Sequence, residues 1–143
     1  MTRSRLTALA LLLAAALGGG CTGQTSTAPA PPNAITIVTL TPAAGTRLAP
    51  GAAVTFNATL SYMLNNAGSA EVSMVIEDQG NVVLNSGNQP TTVVSATQGT
   101  ATLSGALTVP ATGVTQLQVL FTLTPNTSVP IPVVAAANYP VGR

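Results

Sequence analysis

From Val54 to Leu64 every second residue is apolar: Val54, Phe56, Ala58, Leu60, Tyr62 and Leu64. Thr55, Asn57, Thr59 and Ser61 fill the places between them. A strand turns successive side chains to opposite faces, so this run has one oily face and one wet face. The same period returns in Ala70 to Glu77, with Ala70, Val72, Met74 and Ile76 in phase. It returns again in Thr100 to Val109 (Ala101, Leu103, Leu107, Val109) and in Gln116 to Thr124 (Leu117, Val119, Phe121, Leu123). Half-buried strands of this kind are antiparallel and need a second layer to cover the oily face. No stretch after residue 20 carries a helical period. The pattern predicts an all-β, antiparallel two-sheet sandwich of seven or eight strands.

Turn residues punctuate the runs. Pro50-Gly51 precedes the Val54 strand, Asn65-Asn66-Ala67-Gly68 follows it, and Asp78-Gln79-Gly80-Asn81 ends the next. Ile35 to Thr41 reads as the first strand, and Pro42 to Gly51 carries the chain to the second. Val82 to Asn85 reads as a short strand and Ser86 to Pro90 as a loop. Thr91 to Thr97 reads as a further strand, joined to Thr100–Val109 by a hairpin turn at Gln98-Gly99. The last strand is expected from Val129 to Tyr139, with Val129, Ile131, Val133, Ala135 and Ala137 inward. Pro130 and Pro132 cannot donate to a ladder, so that strand is placed at an edge.

Ahead of the sandwich lie two segments of different character. Residues 1–20 have a basic start (Arg3, Arg5), an apolar run from Leu6 to Leu17 and a small-residue end, the three parts of an export signal. The apolar run of about 12 residues covers roughly 18 Å as a helix, short of the ~30 Å of a bilayer core. Leu17-Gly18-Gly19-Gly20-Cys21 resembles the lipobox of bacterial lipoproteins, with the large aliphatic residue one step further from the cysteine than is usual. The resemblance implies cleavage before Cys21 and lipidation of that residue; the alternative is a plain secreted or periplasmic soluble protein. Two or more acyl chains hold stably to a membrane where one does not. Thr22 in place of an Asp points, by the same resemblance, to the outer membrane. Residues 21–33 then form a Thr-, Ala- and Pro-rich linker, and residues 34–143 the sandwich.

Thr41 to Asn85 resembles bacterial immunoglobulin-like and fibronectin type III-like domains, including the cell-adhesion-related kind. The residues that carry it are Thr41-Pro42, Leu48-Ala49-Pro50-Gly51, the Asn/Gly turn and a third strand ending in Asp78-Gln79-Gly80. There is no Trp and no cysteine pair, and Phe121 stands where a tyrosine corner is expected, so an antibody-type domain is excluded. The resemblance implies a non-enzymatic envelope module for adhesion, scaffolding or protein contact. The alternative is an exported domain that binds carbohydrate or another small ligand.

Charge narrows the chemistry. Beyond residue 20 only Arg47 and Arg143 stand against Glu71, Glu77 and Asp78, and the chain has no Lys or His. Two arginines cannot make the basic surface that nucleic acid or anionic lipid requires. Cys21 is the only cysteine, so an internal disulfide is impossible. Serine and threonine nucleophiles lack their usual bases. Glu71 and Glu77, six residues apart on one strand, stand roughly 20 Å apart, too far for a glycosidase pair. Glu77 to Asn81 offers too few oxygens for calcium and reads as a plain turn. Asn57-Ala58-Thr59 and Asn126-Thr127-Ser128 match a glycosylation pattern that has little meaning in a bacterial lipoprotein. No catalytic residue, metal or cofactor is assigned.

Tyr62 falls in an inner row, whereas Tyr139, near the C-terminus, is a candidate sugar-stacking platform. Val75, Leu120 and Val134 interrupt otherwise polar outer rows. If their strands share a sheet, the three form a protein-contact patch for an envelope partner. The lipobox generates a direct expectation. The intact mass of the protein extracted from its native membrane should correspond to a chain beginning at Cys21 and carrying acyl groups.

Overall fold

The computed structural model describes residues 32–143. The export signal, Cys21 and nearly all of the linker lie outside the described residues. Seven strands follow one another: β1 (Ala34–Thr41), β2 (Ala53–Met63), β3 (Ala70–Asp78), β4 (Thr91–Val94), β5 (Gln98–Thr108), β6 (Gln116–Pro125) and β7 (Val133–Pro140). They form two antiparallel sheets, ordered β1-β2-β5 and β4-β3-β6-β7. The architecture is an all-β, two-sheet fold compatible with an immunoglobulin-like sandwich.

The inner rows of β2, β3 and β6 are those the alternation predicts. Phe56, Leu60, Val72, Met74, Ile76, Leu117, Val119, Phe121 and Leu123 are all buried between the sheets. Phe56 on β2 meets Tyr139 on β7 edge to face, with ring centroids 5.1 Å apart and planes at 64°. The Tyr139 hydroxyl donates to the Pro42 carbonyl at 2.7 Å, tying the last strand to the chain just beyond the first. Among the described residues every buried side-chain N or O atom has a partner.

Three expectations are corrected. Val82–Asn85 forms only a single bridge, Val83 to Glu77. A side chain takes the place of backbone there. Asn85 Oδ1 accepts from the Ile76 N–H at 2.9 Å and its Nδ2 donates to the Met74 carbonyl at 3.1 Å. Gln98-Gly99 is no hairpin turn but the start of β5, because β4 pairs with β3 and β5 with β2. The chain crosses between sheets there, and the glycine serves packing: a Cβ on Gly99 would lie 2.8 Å from the Tyr62 hydroxyl. The last strand begins only at Val133. Val129 and Ile131 are 73% and 68% exposed, not inward. Val-Pro-Ile-Pro-Val imitates a period of two, but Pro130 and Pro132 have no N–H to give a ladder.

Asn33, the last residue of the expected linker, is buried; its Oδ1 accepts from the Asn65 N–H at 2.9 Å and its Nδ2 donates to Asn66 Oδ1 at 2.6 Å.

Burial pushes the Tyr139 pKa up from 10.0 to about 12. The folded state then holds the phenolic proton more tightly than the unfolded chain does. Stability is unaffected below pH 10 and falls as pH rises from 10 towards 12, where only the unfolded chain ionises. Denaturant titrations should lose about 2–3 kcal/mol over that window. Tyr139→Phe should abolish the alkaline loss while lowering stability at neutral pH by about 1–3 kcal/mol, since the Pro42 carbonyl loses its donor.

Candidate functional site

The two outer faces differ in chemistry. On the three-stranded sheet, Thr39, Thr59 and Thr102 stand side by side in register. Ser104 Oγ donates to Asn57 Oδ1 beside them at 2.8 Å. That face is mainly hydroxyl and amide, with Val38 on β1 and Met63 on β2 exposed and no charge on β1, β2 or β5.

The four-stranded sheet carries a row of a different kind. Val75 on β3 lies directly opposite Leu120 on β6, and Leu120 directly opposite Ala136 on β7. Val134 pairs with Thr122 and so sits one step along, diagonal to Leu120. Diagonal neighbours on a sheet face are about 7–8 Å apart, close enough for the branched side chains to share one surface. Val75 and Leu120 are half-buried, Ala136 is exposed and Val134 is 54% exposed. Polar rows flank the patch. Glu77, Gln118 and Asn138 align on one side, where Gln118 Nε2 donates to Asn138 Oδ1 at 3.1 Å. Thr91, Ser73 and Thr122 align on the other. Beyond them an open cleft of ≈ 390 Å³ is lined by Glu71, Val93, Thr124 and Pro130, among others.

Register therefore brings together Val75, Leu120 and Val134. Sequence reasoning overlooked Ala136, whose small side chain gives no hydropathy signal, and Val93, which is 72% exposed on β4. Only the pairing of strands reveals that Ala136 completes the row.

The remaining candidates fall into structural places. Tyr139 is fully buried and Tyr62 is 9% exposed, so neither is a sugar-stacking platform. Glu71 and Glu77 both face outward on β3, opposite Thr124 and Gln118. At the β3 end, Asp78 Oδ1 accepts from the N–H groups of Gly80 at 2.7 Å and Val82 at 3.0 Å. This closes a tight turn in which Asn81 takes φ = 60°. Gln79 reaches across to the loop before β6, donating to the Gly113 carbonyl at 2.8 Å and accepting from the Thr115 N–H at 3.2 Å. Among the described residues no group of three or more His, Cys, Asp or Glu could hold a metal ion. No family model and no curated protein matches the chain.

The Asp78 carboxylate is thus occupied by its own turn. Asp78→Ala should cost about 1–2 kcal/mol of stability through the two lost amide bonds. Thermal melts should show the same loss in calcium and in chelator, with neither shifting the unsubstituted protein.

Proposed function

We propose that the chain is a non-enzymatic lipoprotein of the bacterial cell envelope. In this reading Cys21 is lipidated, residues 22–33 clear the membrane surface, and the sandwich meets an envelope protein partner through its four-stranded sheet. The observation that supports the contact face is the register of β3, β6 and β7. It assembles Val75, Leu120, Ala136 and Val134 into one apolar surface bordered by amides, hydroxyls and the Glu77 carboxylate. An apolar centre with a polar rim is the anatomy of a protein contact, in which desolvated apolar groups supply affinity and the rim supplies fit. The membrane is the second partner, through the lipid alone, since the two arginines beyond residue 20 give no basic surface to attract anionic headgroups. A role in adhesion or scaffolding agrees with a two-sheet fold compatible with an immunoglobulin-like sandwich, an architecture that hosts many functions. The carbohydrate-binding alternative loses its stacking groups with the burial of both tyrosines.

Replacing Val75, Leu120 and Val134 together by Ser, Asn and Thr should abolish recovery of the partner by crosslinking in native membranes. The fold and the membrane attachment should survive, because all three side chains face away from the core. If recovery of every envelope partner is unchanged, the contact lies elsewhere.

A further inference from the structure

The four edges of the two sheets are treated differently. On β7 the outer edge is covered: the Asn138 and Pro140 carbonyls accept from the Gly45 and Leu48 N–H groups at 2.8 and 2.9 Å. On the other side of that sheet β4 has only four residues. Beyond it the β3 edge is capped by the Pro90 carbonyl, the Asn85 side chain, the Leu84 N–H and the Val82 carbonyl. In the three-stranded sheet β1 carries a register shift between Ile37 and Thr39. Short edges, irregular pairing and covering loops are the usual means of preventing edge-to-edge pairing.

β5 has none of them. It runs for 11 residues with no proline and no charge, in unbroken register with β2. The phase of its hydrogen bonds follows from the bonds at its two ends. The Val109 N–H donates to the Ala52 carbonyl at 2.9 Å, and the Leu64 N–H to the Thr97 carbonyl at 2.7 Å. Odd-numbered residues of β5 therefore turn their backbone groups toward β2, by the alternation of an antiparallel ladder. Gln98, Thr100, Thr102, Ser104, Ala106 and Thr108 turn theirs outward. All six are exposed, and among the described residues no loop backbone bonds to them.

We propose that β5 pairs, antiparallel, with β5 of a second copy of this chain across a two-fold axis at Leu103. With that axis Thr102 faces the partner's Ser104, Thr100 the partner's Ala106 and Gln98 the partner's Thr108. Every outward-turned N–H and C=O on the strand finds a mate. A two-fold contact sets each strand against its own sequence, so any charge near its centre meets its like. Here no residue of β2 or β5 is charged, and the facing side chains are hydroxyls, an amide or methyls. The product is a continuous six-stranded sheet, with the Val75–Leu120 face on the opposite sheet left free. The inference is independent of the proposed contact face.

The test uses the full chain in density-matched detergent, by sedimentation equilibrium and amide hydrogen exchange. Thr102→Pro removes an outward N–H without touching the ladder to β2. Ser104→Lys sets two cations against each other across the axis. The expected result is a dimer that each variant weakens by at least about tenfold, with circular dichroism and melting temperature near those of the parent. In the parent, exchange at Thr100, Thr102, Ser104 and Ala106 should slow as concentration rises. A monomer at every concentration overturns the proposal. So does a dimer that Ser104→Lys leaves intact, or one in which those four amides still exchange freely.

Discussion

With no internal disulfide available to it, this sandwich is joined by packing, and Phe56 against Tyr139 is the aromatic contact that links its two sheets. They are among the largest fully buried side chains of the described residues, one from each sheet, and they meet edge to face. Such a contact is worth roughly 0.5–1.5 kcal/mol beyond the area it buries. Tyr139 does more than fill space. Its hydroxyl reaches the Pro42 carbonyl, so the last strand is fixed to the chain that leaves the first. That places residues 43–48 along β7, where Gly45 and Leu48 bond to its free carbonyls. Covering of an edge, closure of the core and satisfaction of a buried phenol all follow from one residue, Tyr139.

The parts of this fold that could be read from the chain are those in which a strand buries one face and wets the other. β2, β3 and β6 obey that rule, and their inner rows appear directly in the spacing of Phe56, Met74 and Phe121. The misreadings arise where a residue type serves a purpose other than its commonest one. Gly99 suggests a turn but gives Tyr62 room. Asn85 suggests a strand end but acts as a piece of backbone, holding both Ile76 and Met74. Val129 and Ile131 alternate with prolines, which copies the rhythm of a strand and denies it the hydrogen bonds. The proposed contact face was legible in part. Phase alone puts Val75 and Leu120 on an outer surface, but their direct opposition, and the inclusion of Ala136, depend on register, which the spacing of a single strand does not encode.

The surface of the domain carries few charges, and its two sheet faces differ in apolar content and in charge, since Glu71 and Glu77 both lie on the four-stranded sheet. One presents aligned threonines and an uncovered strand edge. The other presents an apolar row between polar borders. In the proposed reading, a lipid-tethered domain meets other proteins by a face on one sheet and by backbone pairing on the other. Of its three carboxylates, Asp78 closes the turn after β3 while Glu71 and Glu77 face outward, and neither tyrosine reaches solvent to stack on a sugar.

Photo-crosslinking from position 120 in native membranes decides between this account and its rivals. A photoreactive side chain at Leu120 should give a discrete protein adduct, and the same group at Thr59, on the opposite sheet, should not. Adducts from position 59 with none from 120, or none from either, would contradict the assignment of the four-stranded sheet as the contact surface.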